Sequence, residues 1–263
     1  NIVKNISLTG FSVPVNVGSD WSNNRERGVC YSTSPYPTIS NSRLYDSTTG
    51  SGDYTISVDG TLGVSPFYYV SVNTTYYLRS YIYLNGIYYY GNQVTFKSCG
   101  YVGGSGGYVF YDKGEITNGW RYLEASTTKL NDPNSTNFKW SNTSTFMSGI
   151  SQEIGAGLDN STLIRNSNNF TNIAATMCVF NSNNNVNDWF LPSSKELKEL
   201  YKLKIAGLVF NPASGPNSFY NKNVLSSSQR DATTCYGINF DNGNEVILGK
   251  TEQLYSGWQV RRF

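Results

Sequence analysis

The run Asn187-Asp188-Trp189-Phe190-Leu191-Pro192-Ser193-Ser194-Lys195-Glu196-Leu197-Lys198-Glu199-Leu200-Tyr201 decides how the second half of this chain folds. Trp189, Phe190 and Leu191 read as the aromatic end of a strand, and Pro192 breaks it. Ser193 or Ser194 then offers an N-cap, with Glu196 or Glu199 in the first turn. Leu197, Leu200 and Leu203 recur three apart, so the helix carries one apolar face and its lysines ride outside. It is the one plain amphipathic helix in 263 residues. The rest reads as strands and loops, so this helix has to pack against a sheet.

Downstream of the Leu197–Ile205 helix the chain is irregular, with Pro212, Gly215 and Pro216. Asn223–Ser228, Cys235–Phe240 and Glu245–Leu248 read as strands, and Gly257–Phe263 closes the chain. Asp241-Asn242-Gly243-Asn244 turns the second and third of them into a hairpin. Upstream, Tyr108–Asp112 and Gly119–Ala125 read as strands. Phe170, Ile173, Ala174, Met177 and Cys178 follow a three-four spacing that predicts a helix within residues 155–180, and the Asn-rich residues 181–187 form a loop. Gly103-Gly104-Ser105-Gly106-Gly107 invites comparison with a phosphate-cradling loop. No Lys-Ser/Thr pair and no helix follow it. Its glycines are instead expected to allow close backbone approach where the Tyr108 strand begins.

Residues 1–97 read as about seven short strands with turn signals between them, the pattern of a β-sandwich. Arg27–Ser32, Asp53–Val58, Thr75–Tyr83 and Gln93–Phe96 alternate with Ser34-Pro35, Tyr36-Pro37 and Thr49-Gly50-Ser51-Gly52. Leu84-Asn85-Gly86-Ile87 is the strongest hairpin signal in the chain.

Two resemblances attach to these runs. Gly28–Ile39 (GVCYSTSPYPTI), Thr74–Tyr81 and Tyr90–Phe96 resemble the fibronectin-III-like modules of Bacteroidetes surface proteins. That resemblance implies an all-β, immunoglobulin-like spacer over 1–97, with mainly structural tyrosines; a platform of aromatic rings for a ligand is the sharper alternative. Gly106–Gly114, Gly119–Ala125, Lys139-Trp140, Asp188–Leu197, Leu225–Ser228 and Val260–Phe263 resemble the Lcl-type C-terminal domain. This is a variant of the C-type-lectin-like fold related to that of the formylglycine-generating enzyme. It implies an α+β recognition domain over 98–263, at the tip of a surface protein. Leu225 stands where that family commonly has Trp, a packing change.

Composition narrows the function. The chain has no histidine, which removes Ser-His-Asp triads, Cys-His dyads and His-ligated zinc. Chemistry based on carboxylates, lysine or cysteine stays open, and the expectation is a protein that is not an enzyme. Twenty Lys and Arg against eighteen Asp and Glu form no basic stripe, so no nucleic-acid partner is expected. No run reaches the roughly 18 apolar residues of a membrane helix. Low charge with abundant Tyr, Gly, Asn, Ser and Thr suits a secreted or surface protein with an adaptable binding face. Cys178 and Cys235 fall in one domain, so a bridge is open to them, but buried free thiols are the plainer reading for all four cysteines.

In lectin-like folds the loops near the C-terminal strands form the binding face. The candidate ligand-binding residues are therefore Gln229, Arg230, Asp231, Thr233, Tyr236, Asn239, Asp241, Asn242, Asn244 and Tyr255, on loops near residues 229–244 and 255–258. The same region looks like the variable C-terminal part of retroelement-diversified proteins, which also end in an Arg-Phe closure. Arg230, Lys250, Arg261 and Arg262 are candidates for a small basic patch. Adjacent arginines in a strand face opposite sides, so a role pinned against Asp or Glu, holding the chain end, is expected for that pair. The motifs of calcium-dependent sugar binding are absent, and Asn131-Asp132-Pro133-Asn134 reads as a turn. No cofactor is expected; calcium is the one ion the setting leaves open. The expected partner is a glycan or a host or bacterial surface protein, with a pilus, fibre or surface-layer subunit as the alternative.

Overall fold

A computed structural model describes residues 2–46, 48–60, 69–130, 137–167, 173–180, 186–208 and 222–263. Asn131–Asn134, Phe170, residues 181–185 and the Pro212–Pro216 segment lie outside the described residues. Contacts divide the chain into Asn1–Gly100 with Tyr111–Arg121, and Tyr101–Phe110 with Tyr122–Phe263.

The first unit holds β1 (Phe11–Val17), β2 (Glu26–Ser32), β3 (Ser42–Asp46), β4 (Gly52–Val58), β5 (Thr75–Leu84), β6 (Ile87–Tyr90) and β7 (Val94–Lys97). β1 and β4 form an antiparallel pair. The other five make a second sheet, in which β5 pairs with β2 on one side and with β6 and β7 on the other. Asn85 and Gly86, at φ 51° and 85°, make the tight turn between β5 and β6 that their dipeptide predicts. The sheets meet through aromatic rings: Phe11 lies 5.3 Å from Tyr31 and 4.9 Å from Phe96, and Tyr76 stacks on Phe96 at 5.5 Å. The Tyr pairs thus divide between core and surface, Tyr76 buried and Tyr77 half-buried.

In a three-stranded sheet β9 (Trp120–Ala125) lies between β8 (Tyr108–Thr117) and β13 (Val260–Arg262). The second unit holds an antiparallel sheet of β10 (Asn223–Gln229), β11 (Thr234–Asn239) and β12 (Glu245–Gly249) in that order. Three helices accompany them: α1 (Gly157–Asn166), α2 (Ala174–Phe180) and α3 (Ser194–Ile205). The core gathers Phe138, Trp140, Ile164, Ile173, Cys178, Leu191, Leu225, Cys235 and Leu248. All four cysteines are free and buried, and burial raises the Cys178 and Cys235 thiols above their ordinary range.

α3 begins as its sequence dictates. The Ser193 hydroxyl accepts from the Glu196 N–H at 3.3 Å, and the Glu196 carboxylate accepts from the Ser193 N–H at 2.7 Å, closing a capping box. Helix formation within 155–180 is divided between α1 and α2. The Gly-rich run has the role expected of it. The Gly107 N–H donates to Glu124 Oε1 at 2.7 Å, and a Cβ on Gly107 would stand 2.2 Å from the Ala125 carbonyl oxygen.

Candidate functional site

Residues directly opposite in a ladder share a face. In the β10–β11–β12 sheet, Leu225, Gly237 and Val246 fall on one face with Cys235 and Leu248, and that face looks into the core. Val224, Ile238, Tyr236 and Ile247 fall on the other. α3 covers its Ile238 end: Ser194 Oγ donates to Glu245 Oε2 at 3.0 Å, and Tyr201 meets Phe240 edge-on at 5.3 Å. Tyr236 stays half-buried and its neighbour Ile247 is 52% exposed.

The candidate residues separate into two turns at opposite ends of β11. At the first, Asp231 Oδ1 accepts from the N–H groups of Thr233 and Thr234, both at 2.8 Å, and Oδ2 accepts from the Thr234 hydroxyl at 2.7 Å. The Thr234 hydroxyl first, then the Thr233 N–H, hold the Asp231 carboxyl well below the usual carboxylate range. Its oxygens organise the turn, and Arg230 and Thr233 are exposed beside it. At the second turn, Asn239 Oδ1 accepts from the Asp241 N–H at 2.9 Å and Asn242 Oδ1 from the Asn244 N–H at 3.0 Å. Asp241 is paired with Lys222. A six-residue strand keeps the two turns roughly 20 Å apart, with Tyr236 between them.

Two candidates serve the interior. Gln229 is buried, and its Oε1 accepts from the Met147 N–H at 3.0 Å and from Lys250 Nζ at 2.9 Å, while its Nε2 donates to the Met147 carbonyl. Tyr255 is buried in the core cluster; its hydroxyl accepts from the Gly249 N–H at 3.2 Å and donates to Glu252. Burial first, then that bond, pushes the phenol up to about 12. These two residues shape the sheet and are not available to a ligand.

The basic patch also resolves. Lys250 is buried, 4.5 Å from the Trp140 ring centre, and donates to the Thr145 carbonyl at 2.9 Å; burial lowers its ammonium below the ordinary range. Arg261 forms a two-pronged pair with Asp188 at 2.8 and 2.9 Å, and reaches Ser105 at 2.6 Å and the buried Glu124 at 3.5 Å. Arg262 turns the other way, to the Gly155 carbonyl at 2.9 Å and Asp159 at 3.6 Å. The pair holds the chain end as expected, which leaves Arg230 as the exposed cation of the four.

Sequence reasoning passed over the neighbours of the first turn. Gln229 ties down residues 143–148, and there Thr143, Thr145, Phe146, Met147 and Ser148 line a cleft of about 340 Å³ with Leu163 and Ser167. Phe146 is 62% exposed. Ile247 was legible, because the alternation of Glu245–Leu248 puts it opposite Val246 and Leu248; Phe146 lies in no periodic segment. Among the described residues no three acidic or thiol groups gather as a metal site would require, and no helix is long and apolar enough to cross a membrane.

No family model and no curated protein matches the chain. Among solved structures it is similar to the Yersinia pseudotuberculosis adhesin InvE, at 13% identity over 97% of this chain and 66% of that one, with a TM-score of 0.26. The chain thus spans just under two thirds of that structure, and a score of this size carries no argument about fold or function.

Proposed function

We propose that this chain is an extracellular or surface recognition protein. In this reading a fibronectin-III-like spacer precedes an Lcl-type, C-type-lectin-like domain that binds a glycan or a protein. The observation that supports it most is the first turn of the C-terminal sheet. Asp231 saturates its own turn with threonine hydroxyl and backbone donors, so the loop is held rigid while Arg230 and Thr233 stay exposed. A pre-ordered loop carrying an exposed arginine loses little freedom on binding. The ligand face therefore comprises Arg230, Thr233, Tyr236 and Phe146, with the Asn239–Asn244 turn at the far end. It needs neither metal nor acid–base pair.

The test is a glycan-array and cell-surface binding assay comparing the wild type with an Arg230→Ala/Tyr236→Ala/Phe146→Ala variant of equal circular dichroism. Loss of binding in the variant alone is the expected result. A variant that binds as well as the wild type, or a wild type that binds nothing, overturns the proposal.

A second reading, a pilus, fibre or surface-layer subunit, has its own support. β12 is the outer strand of its sheet among the described residues, and it carries the exposed Ile247. An open strand edge of this kind can pair with another copy. Self-association that Ile247→Lys abolishes, while surface binding is absent, favours this reading.

A further inference from the structure

The first unit carries a cleft that the recognition reading does not use. Val15 of β1 faces Tyr54 of β4, and Ile82 of β5 faces Tyr89 of β6, so these side chains point into the space between the two sheets. The cleft opens there with a volume of about 200 Å³. Trp21 and Tyr89 stand at its mouth with ring centres 4.9 Å apart and planes inclined at 54°, so the rings do not close flat on each other. Trp21 is half-buried and Tyr89 is 39% exposed. Tyr54 forms part of the floor, and its hydroxyl is fixed on the Gly28 carbonyl at 3.3 Å. Ser80 supplies a hydroxyl, and no lining residue carries a formal charge; the Asn16 amide turns to the outer face, where it donates to Asp53 Oδ1 at 2.7 Å.

We propose that this cleft binds a neutral pyranose ring of a glycan. Its rings offer apolar faces for the C–H face of a sugar, and the Ser80 hydroxyl offers a neutral hydrogen-bond partner for a sugar hydroxyl. The lack of charge disfavours phosphate, sulfate or carboxylate ligands. The volume is below the roughly 300–1,000 Å³ of pockets for drug-sized ligands and suits one ring. The floor is preorganised by the Tyr54 bond.

Trp21 also supplies the readout. The other four tryptophans, Trp120, Trp140, Trp189 and Trp258, are at most 6% exposed, so a ligand-induced change in tryptophan emission reports on Trp21. The probes are methyl α-D-mannopyranoside, methyl β-D-glucopyranoside, methyl β-D-galactopyranoside and N-acetylglucosamine, each titrated into the full chain to about 50 mM, since a one-ring site gives affinities near the millimolar range. N-acetylneuraminic acid is the charged control. Expected is saturable binding of at least one neutral sugar, weaker binding of the acid, and a loss of roughly tenfold or more in Tyr89→Ala. Gly18→Phe is the second variant. Gly18 has an ordinary φ of −60° and open space beside Trp21, so the new ring fills the mouth without strain and is expected to abolish binding. No binding of any sugar by the wild type overturns the proposal, as does binding that survives Gly18→Phe. Arg230 and Tyr236 variants leave this site unchanged, so its failure is separable from failure of the C-terminal face.

Discussion

Glu196 Oε1 accepts a hydrogen bond from the N–H of Gly155 at 2.7 Å, so a carboxylate on α3 closes the approach to α1. The same oxygen takes the Gly157 N–H at 3.4 Å while Oε2 completes the box on Ser193. The N-cap of α1 is Ala156, which has no side-chain acceptor, and Glu196 stands in for it. One buried group thus serves the positive ends of two helices.

That position makes stability depend on pH. Burial pushes the Glu196 carboxyl up to about 7 from an ordinary 4.5, against the pull of the Ser193, Gly155 and Gly157 N–H donors and of Arg262. With the folded value raised, the folded state binds more protons between pH 4.5 and 7. Stability from this group is therefore full below 4.5 and falls as pH rises to 7, by about 3 kcal/mol. Glu196→Gln titrates nothing there. Its cost, measured by urea unfolding, should shrink by that amount between pH 4.5 and 7.5; a pH-independent cost would show an anion throughout.

The glycine run separates into positions that need glycine and one that does not. At Gly107 a Cβ meets backbone and the Glu124 side chain, whereas at Gly104 nothing lies within 4 Å. Gly107→Ala should cost about 3 kcal/mol and Gly104→Ala under about 0.5 kcal/mol. Equal costs in thermal unfolding would remove the close-approach explanation.

Arg261 neutralises a carboxylate with no exposure, Glu124, as well as the half-exposed Asp188. Arg261→Met should cost about 3–5 kcal/mol by stranding Glu124. Asp188→Asn should cost about 1 kcal/mol, since that partner still sees water. Adding Glu124→Gln to Arg261→Met should recover part of the loss, and a double-mutant cycle measures the coupling.

How much of this was legible depends on how local the cause was. The α3 cap and the Asn85-Gly86 turn are each written within four residues, and both are found. The break between α1 and α2 was hidden because α1 buries Gly157, Asn160 and Ser161 with a single Ile164, so its packed side shows no apolar period. Asn160 is inside because its amide donates to the Ser151 carbonyl at 2.6 Å and to Ser227 Oγ at 3.2 Å. Those partners lie 9 and 67 residues away. The candidate site shows the same limit. Residues 229–244 are adjacent in sequence, but an extended strand carries their two turns apart, and no local pattern shows that Gln229 faces Met147 and Lys250.

Gln229 and Arg230 are neighbours with opposite roles, and their variants should separate stability from recognition. Gln229→Ala removes the acceptor shared by the Lys250 ammonium and the Met147 N–H in a buried setting. Leaving a buried cation and an amide short of a partner should cost about 2–3 kcal/mol. It should also loosen residues 143–148, weakening any binding that uses Phe146 in step with the loss of stability. Arg230 is exposed, so Arg230→Ala should leave the melting temperature unchanged and act on binding alone. Thermal unfolding and surface binding of the two variants, side by side, check this. If Arg230→Ala destabilises as much as Gln229→Ala, its side chain belongs to the fold, and the ligand face has to be sought around Tyr236 and Phe146 without it.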